Sequence, residues 1–384
     1  MAAFYPVKLD GGYSCSFKKA VLLNTYNFWN TPVNENLNLK LTNMRNFKSN
    51  NRIMRLGLSL MAVLLAVVLF SSFTAPKKKT IFMIGDSTMA NKDISGDKQE
   101  RGWGMMLMNY FDDAITVDNH AVNGRSSKSF IDEGRWQAVL DKIQPGDYVI
   151  IQFGHNDEKK DEKRHTDPGT TFDDNLRRFV RETREKGGIP VLLNSVVRRN
   201  FSGSKTAVAD DDLRDNTSKG LHEGDTLVDT HGAYLISPRT VATEMNVPFI
   251  DANKITHDLE QGLGVEGSKK LHMIFAPGET PSLPDGRQDN THYCINGANI
   301  VAGLLADAIS EKVPELAERR AQKYDIVVST TGNGQFMSLD KAVEAAPAGK
   351  KTTIAITGGE WKKVKAPKDK KIKYVLLRGA KFTK

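Results

Sequence analysis

Cysteine is the scarcest chemistry in this chain. Only Cys15 and Cys294 occur among 384 residues, so a disulfide scaffold is excluded as the basis of the fold. A disorder-prone composition is absent too. Hydrophobic residues make up 39%, enough for a substantial core and too many for wholesale disorder. Long apolar runs are missing, with one exception. "LGLSLMAVLLAVVLF", Leu56 to Phe70, carries no charge, follows Arg52 and Arg55, and precedes the small residues of "SSFTA". Its fifteen residues match the length of a secretory h-region and are short for a membrane span. Residues 54–75 therefore read as a signal peptide, cut between Ser72 and Ala75. Phe73 fits the small-x-small cleavage rule poorly, which leaves an uncleaved anchor as the alternative. A secretory signal normally opens a chain, so Met54 or Met44 is the expected start. Residues 1–53 then read as a misassigned or disordered extension.

An even spread of positive charge is also lacking. The net charge of +8 and pI of 9.2 suggest nucleic-acid binding only until the charges are located. Residues 1–75 carry +6, residues 350–384 carry +10, and the body between them, 76–349, is near −8. A basic leader and a basic tail flank an acidic body, and no nucleic-acid partner is expected.

That body alternates apolar strands with amphipathic helices. Strands are expected at 80–85, 114–122, 148–154, 189–196 and 247–252. Helices are expected near 103–111, 134–143, 172–186, 232–246 and 294–309. β-branched runs without polar alternation suit a parallel sheet covered on both faces. The expectation is a three-layer, doubly wound α/β domain over 76–315, with ligands bound beyond the carboxyl ends of its strands. A polar linker and a separate β-rich unit are then expected over 316–384.

The first strand, "TIFMIG", runs into Asp86 and Ser87. Gly, Asp and Ser suit any strand-to-helix corner, so Ser87 alone could be a cap. A serine nucleophile needs a base, a group that orients the base, and donors for an oxyanion. Of eight histidines, only His292 has an aspartate three residues before it, Asp289 in "PDGRQDNTH". That spacing in a turn can set a carboxylate against one imidazole nitrogen and leave the other for a serine. A chance pair in a surface loop would read the same way. Gly124 in "AVNGRSS" follows the second strand, and Asn156 in "FGHND" follows the third. With the Ser87 N–H at a helix N-terminus they would supply three oxyanion donors. Singly, each is an ordinary turn or loop residue. Together, four separate loops deliver the types that acyl transfer requires. No ligand cluster with metal spacing appears, and no cofactor is expected.

"GDSTMA", "NGRSS", "GHND" and "DNTH", in this order, resemble the four blocks of the SGNH (GDSL-like) hydrolases, which have a flavodoxin-like parallel sheet. More narrowly, "NGRSSKSF", "FGHND" and "PDGRQDNTH" are similar to the rhamnogalacturonan acetylesterases. The match spans most of 80–310. It implies Ser87 as nucleophile, Gly124 and Asn156 as oxyanion donors with the Ser87 N–H, and Asp289 and His292 as the other triad members. The sequence around Ser87 lacks the G-x-S-x-G of an α/β-hydrolase elbow, so that fold is not indicated.

The narrower resemblance implies an acetylated pectic polysaccharide as the partner; the signal segment implies a secreted or periplasmic protein with no other membrane contact, and a monomer is expected. Acetylesterase action on xylan, or pectin binding with little catalysis, are the rival readings. Arg125, Arg198 and Arg199, with "KKDEKR" at 159–164, are the basic residues that could meet sugar carboxylates. His231, in "DTHGAY", could be mistaken for a base but lacks an aspartate three residues before it. The unit after residue 316 resembles the opening of a pectin methylesterase, a right-handed parallel β-helix. That family's catalytic residues lie further along than residue 384, so the fragment is expected to be truncated and inactive. Its lysines are expected to form a solvated edge, with charge attraction for an anionic polysaccharide as the alternative.

Overall fold

The computed structural model describes residues 78–202 and 225–383. The expected extension at 1–53 and signal peptide at 54–75 lie outside the described residues.

Five parallel strands form the central sheet: β1 (Lys79–Gly85), β2 (Ile115–Asn119), β3 (Tyr148–Gln152), β4 (Ile189–Leu193) and β5 (Phe249–Ile250). Their order is β2-β1-β3-β4-β5, the doubly wound order expected from the sequence. Side chains alternate across the sheet because strand periodicity is two. Ile81 and Met83 face one core and Phe82 and Ile84 the other. On the Phe82 side lie α1 (Ser127–Asp132), α2 (Arg135–Leu140), α3 (Thr171–Glu185) and α4 (Ile236–Glu244), which bury Phe130, Trp136, Phe179 and Val241. On the Ile81 side lie α5 (Ala252–Ser268) and α6 (Ile295–Lys312), with Val301, Leu305 and Ile309 against the sheet. The strands start where expected or within two residues; β1 ends where expected, at Gly85, and the other four end early because the last residues of each apolar run turn into loops. Short α1 and the long α5 were not expected.

A polar segment departs from expectation. "RQDNTHY" is not a loop but strand β7 (Arg287–Tyr293), antiparallel to β6 (His272–Phe275). The pairing slips between His272 and Met273: Tyr293 faces His272, whereas Asp289 faces Met273. Three residues of β7 thus span a single step of β6, a wide bulge that bends the strand.

Beyond α6, β8 (Ile326–Ser329) and α7 (Leu339–Ala345) precede two stacked circuits. The first holds β9 (Lys351–Thr357) and β10 (Glu360–Lys362), and the second holds β11 (Lys371–Leu377) and β12 (Lys381–Thr383). β8, β9 and β11 pair in parallel, as do β10 and β12. This unit encloses a small core of its own, around Ile326, Val328, Ile354, Ile356 and Trp361.

Candidate active site

The sheet order reverses at β1, and the loops leaving β1, β2 and β3 meet there. Ser87 stands two residues beyond β1. It does not begin a helix, as the sequence suggested. The chain makes one tight turn, in which the Ala90 N–H donates to the Asp86 carbonyl at 3.0 Å. Buried Asp86 holds that turn, its Oδ1 accepting the Thr88 N–H at 2.9 Å and the Thr88 hydroxyl at 2.8 Å. From the end of β3, the Gln152 amide donates to Thr88 Oγ1 at 3.0 Å and its oxygen accepts the Trp103 indole N–H at 2.8 Å. The turn that carries Ser87 is therefore fixed from two strands.

Gly124 lies in the loop after β2 with φ +74°, a left-handed conformation that a side chain would strain. Asn156 follows β3 and is nearly buried. Its amide donates to the Arg125 carbonyl at 3.2 Å and retains a second N–H. Neighbouring Asp157 ties these loops together: its carboxylate accepts from the N–H and hydroxyl of Ser127, the hydroxyl of Thr166 and the N–H of Gly154.

His292 comes from the bulge of β7. Its Nδ1 lies 2.9 Å from Asp289 Oδ2 and its Nε2 lies 2.8 Å from Ser87 Oγ. An imidazole protonated on Nδ1 satisfies both contacts: it donates to the carboxylate and accepts the serine hydroxyl. The Thr291 and His292 N–H groups both donate to Asp289 Oδ1 at 2.9 Å, and the Arg287 guanidinium donates to Oδ2 at 2.5 Å. Burial alone would raise the Asp289 carboxyl. The His292 hydrogen bond and charge, then Arg287, outweigh burial and hold it well below the usual carboxylate range. Asp289 thus stays ionised, able to orient an imidazole and stabilise its charged form.

Ser87, Gly124, Asn156 and His292 line one open cavity of about 300 Å3. The sequence picked out these four, and Arg164 within the "KKDEKR" run, but not the other charges around them. Lys92, Glu100, Arg164 and Arg287 line the same cavity. Lys92 pairs with Glu100 at 2.7 Å, and Glu100 accepts from Arg287 at 2.8 Å. The signal for Arg287 was present: in a strand, residues two apart share a face, and Arg287 is two before Asp289.

None of the three arginines expected to contact substrate lines that cavity, and Arg198 borders only a small pocket of about 30 Å3 shared with Ser87, Asn156 and His292. Arg125 is half-buried and turns away, donating to Glu133 at 3.0 Å and to the Asn123 carbonyl at 2.9 Å. Arg198 is fully buried, paired with Glu158 and donating to Thr230 at 2.9 Å. Arg199 is buried as well. It donates to Ser268 and to the Asn290 side chain, each at 2.9 Å, and to the Val265 carbonyl. Both guanidinium groups are committed to neighbours, so neither offers its donors to a polysaccharide. His231 has Nδ1 3.0 Å from Glu158 and Nε2 3.2 Å from the Val196 carbonyl, so both ring nitrogens are engaged. Among the described residues no group of His, Cys, Asp and Glu is arranged to hold a metal ion.

The chain was compared with known proteins. The model of the GDSL-like lipase/acylhydrolase family matches residues 83–273. The rhamnogalacturonan acetylesterase RhgT of Bacillus subtilis (strain 168) is 38% identical over 231 residues, 60% of this chain and 89% of that protein. The probable rhamnogalacturonan acetylesterase YesY of the same organism is 32% identical over 235 residues, 60% of this chain and 92% of that one. Among solved structures, the B. subtilis protein YxiM is 26% identical, with a TM-score of 0.47 over 61% of this chain and 56% of that chain. The chain belongs to the GDSL-like lipase/acylhydrolase family, and it is a hydrolase of ester bonds similar to the rhamnogalacturonan acetylesterases.

Proposed function

We propose that the chain is a secreted serine esterase that removes acetyl groups from the rhamnogalacturonan of pectin. The observation that carries the mechanism is the relay from Asp289 through His292 to Ser87, with contacts of 2.9 and 2.8 Å. Ser87 Oγ attacks the acetyl carbonyl while His292 Nε2 takes its proton. The carbonyl oxygen becomes an oxyanion held by the Ser87 and Gly124 N–H groups and the Asn156 amide. Each such donor contributes about 10²–10³ in rate. The tetrahedral intermediate expels the sugar oxygen, which takes the proton from His292, and an acetyl-enzyme remains. Water, deprotonated by His292, repeats the attack and releases acetate.

Two observations support an acidic polysaccharide. RhgT is named a rhamnogalacturonan acetylesterase and YesY a probable one. In addition, Lys92, Arg164 and Arg287 outnumber Glu100 along the cavity wall, which favours a uronate carboxylate beside the acetylated sugar. Secretion or periplasmic export rests on the apolar run at 56–70. The reading of 316–384 as the opening of a pectin methylesterase-like β-helix rests on its sequence resemblance and is supported by the stacked parallel circuits.

The deciding experiment measures acetate released from acetylated rhamnogalacturonan, acetylated homogalacturonan and acetylxylan, with Ser87→Ala alongside. Preference for the first is expected. Preference for xylan would overturn the substrate, and equal rates from Ser87→Ala would overturn the mechanism.

A further inference from the structure

We propose that the carboxyl-terminal unit is a positioning part of the catalytic cleft, and that Arg101 is the residue through which it acts. The inference rests on the reading of Ser87, His292 and Asp289 as the reacting site.

The starting point is segment 91–101, which forms one wall of the cavity. It carries Lys92 and Glu100 and contains no helix or strand, so its path must be set by its neighbours. One neighbour is the β6–β7 hairpin. The Arg101 N–H donates to the Tyr293 carbonyl at 3.1 Å, and the hydroxyls of Thr280 and Ser282 donate to Asp97 at 2.9 and 2.7 Å.

The other neighbour is the turn at 330–337 of the carboxyl-terminal unit. Arg101 is 2% exposed and, among the described residues, forms no ion pair. A buried cation without a carboxylate must have its donors met by other acceptors. They are met from both sides of the junction. Nη1 donates to the Lys98 and Glu100 carbonyls at 2.8 and 2.7 Å, within the wall itself, while Nε donates to the Gly332 carbonyl at 3.0 Å. The planar, rigid guanidinium fixes these three carbonyls relative to one another, which a flexible ammonium would not do. Gly332 sits at φ +76° and presses on the same wall: a Cβ there would lie 2.3 Å from Ile94 Cγ2. A second anchor keeps the unit in place. Arg378 donates to the carbonyls of Met108 and Phe111 at 2.9 and 3.0 Å.

From the wall the connection reaches the triad in two steps. The Glu100 carboxylate accepts from Arg287, and Arg287 donates to the same Asp289 oxygen that receives His292 Nδ1. Loss of the Gly332 contact leaves Arg101 short of an acceptor, frees the Glu100 backbone, and loosens Arg287 on Asp289. The imidazole then loses part of what orients it. Misplacement of about 1 Å at a reacting group can cost about 10²-fold.

The test uses the full chain, with p-nitrophenyl acetate hydrolysis and its Ser87→Ala control. Arg101→Gln and Gly332→Ala are each expected to lower kcat about tenfold or more with KM little changed. Both should shift the acidic limb of the kcat/KM pH profile, and Arg101→Lys should recover part of the loss. A readout independent of turnover is the downfield proton resonance of His292 Nδ1–H, which should move or broaden in both variants. A folded Gly332→Ala chain with unaltered kcat, pH profile and resonance overturns the proposal, whether or not Arg101→Gln folds. Failure of Ser87→Ala to reduce hydrolysis overturns the reading of the site instead, and the resonance still decides whether the unit positions His292.

Discussion

Asp289 with His292 and Glu260 with His272 are two carboxylate–histidine pairs on either side of the same hairpin slip. Their hydrogen bonds are nearly equal, 2.9 and 2.8 Å. His272 and Tyr293 face each other across the hairpin, and Met273 faces Asp289. The second pair is sealed, with both side chains at 0% exposure, whereas those of the first are 18% and 14% exposed and border the cavity. His292 also aims its other nitrogen at a serine, and His272 does not. A carboxylate–histidine hydrogen bond is therefore not the mark of a base. What matters is where the second nitrogen points and whether a substrate can reach it.

The contrast can be broken at several points. The largest effect should come from Ser87→Ala, a loss on the order of 10⁶ in kcat, with an unchanged thermal midpoint. Measurable Ser87-independent acetate release would end the comparison. Asp289→Asn should cost about 10⁴ by leaving His292 in the wrong tautomer. Glu260→Leu should leave kcat nearly intact but cost about 1–3 kcal/mol in urea unfolding, because His272 loses its buried partner. Equal losses of rate from these two variants would erase the distinction. Asn156→Ala should lower kcat about 10²–10³-fold with little change in KM.

The smallest effect concerns Asp157, a buried carboxyl with no imidazole beside it. Burial pushes it up to about 7, against hydrogen bonds from Ser127 and Thr166. Between the ordinary carboxyl range and about 7, the folded chain holds a proton there that the unfolded chain has released. Stability should then decline as pH rises through that window. The midpoint of urea unfolding, followed from pH 4 to 7, should lose this component of its slope in Asp157→Asn.

Much of this was legible in the sequence, and the reason lies in particular residues. Ile81 to Ile84 could only be a strand covered on both faces, and the loops after β1, β2 and β3 each carried a residue type of acyl transfer. Hairpin strand β7 was not legible, because "RQDNTHY" lacks the apolar alternation that marks a strand. Its backbone is held by β6 and its polar side chains by Glu100, Arg199 and Ser87. Arg198 and Arg199 misled for the converse reason. Two adjacent arginines look like surface, yet Glu158 lies 40 residues away and Asn290 91, and only folding brings them near. The one-turn conformation at Ser87 was hidden as well, since a cap and a tight turn use the same Asp and Ser.

The slip in the hairpin register makes His292 depend on the number of residues before it more than on their identity. Asn290 has its carbonyl held by the Arg199 N–H at 2.9 Å and its side chain held by the Arg199 guanidinium. Arg199, which looked like a hand held out to the substrate, is thus the peg from which the spacing from Asp289 to His292 is measured. Replacement of Thr291 by another small residue leaves that count intact. Deletion of Thr291 would shorten the bulge from three residues to two and carry the imidazole away from its register with Asp289 and Ser87. Drift among relatives of this chain should therefore show as exchanges at that position, never as gaps.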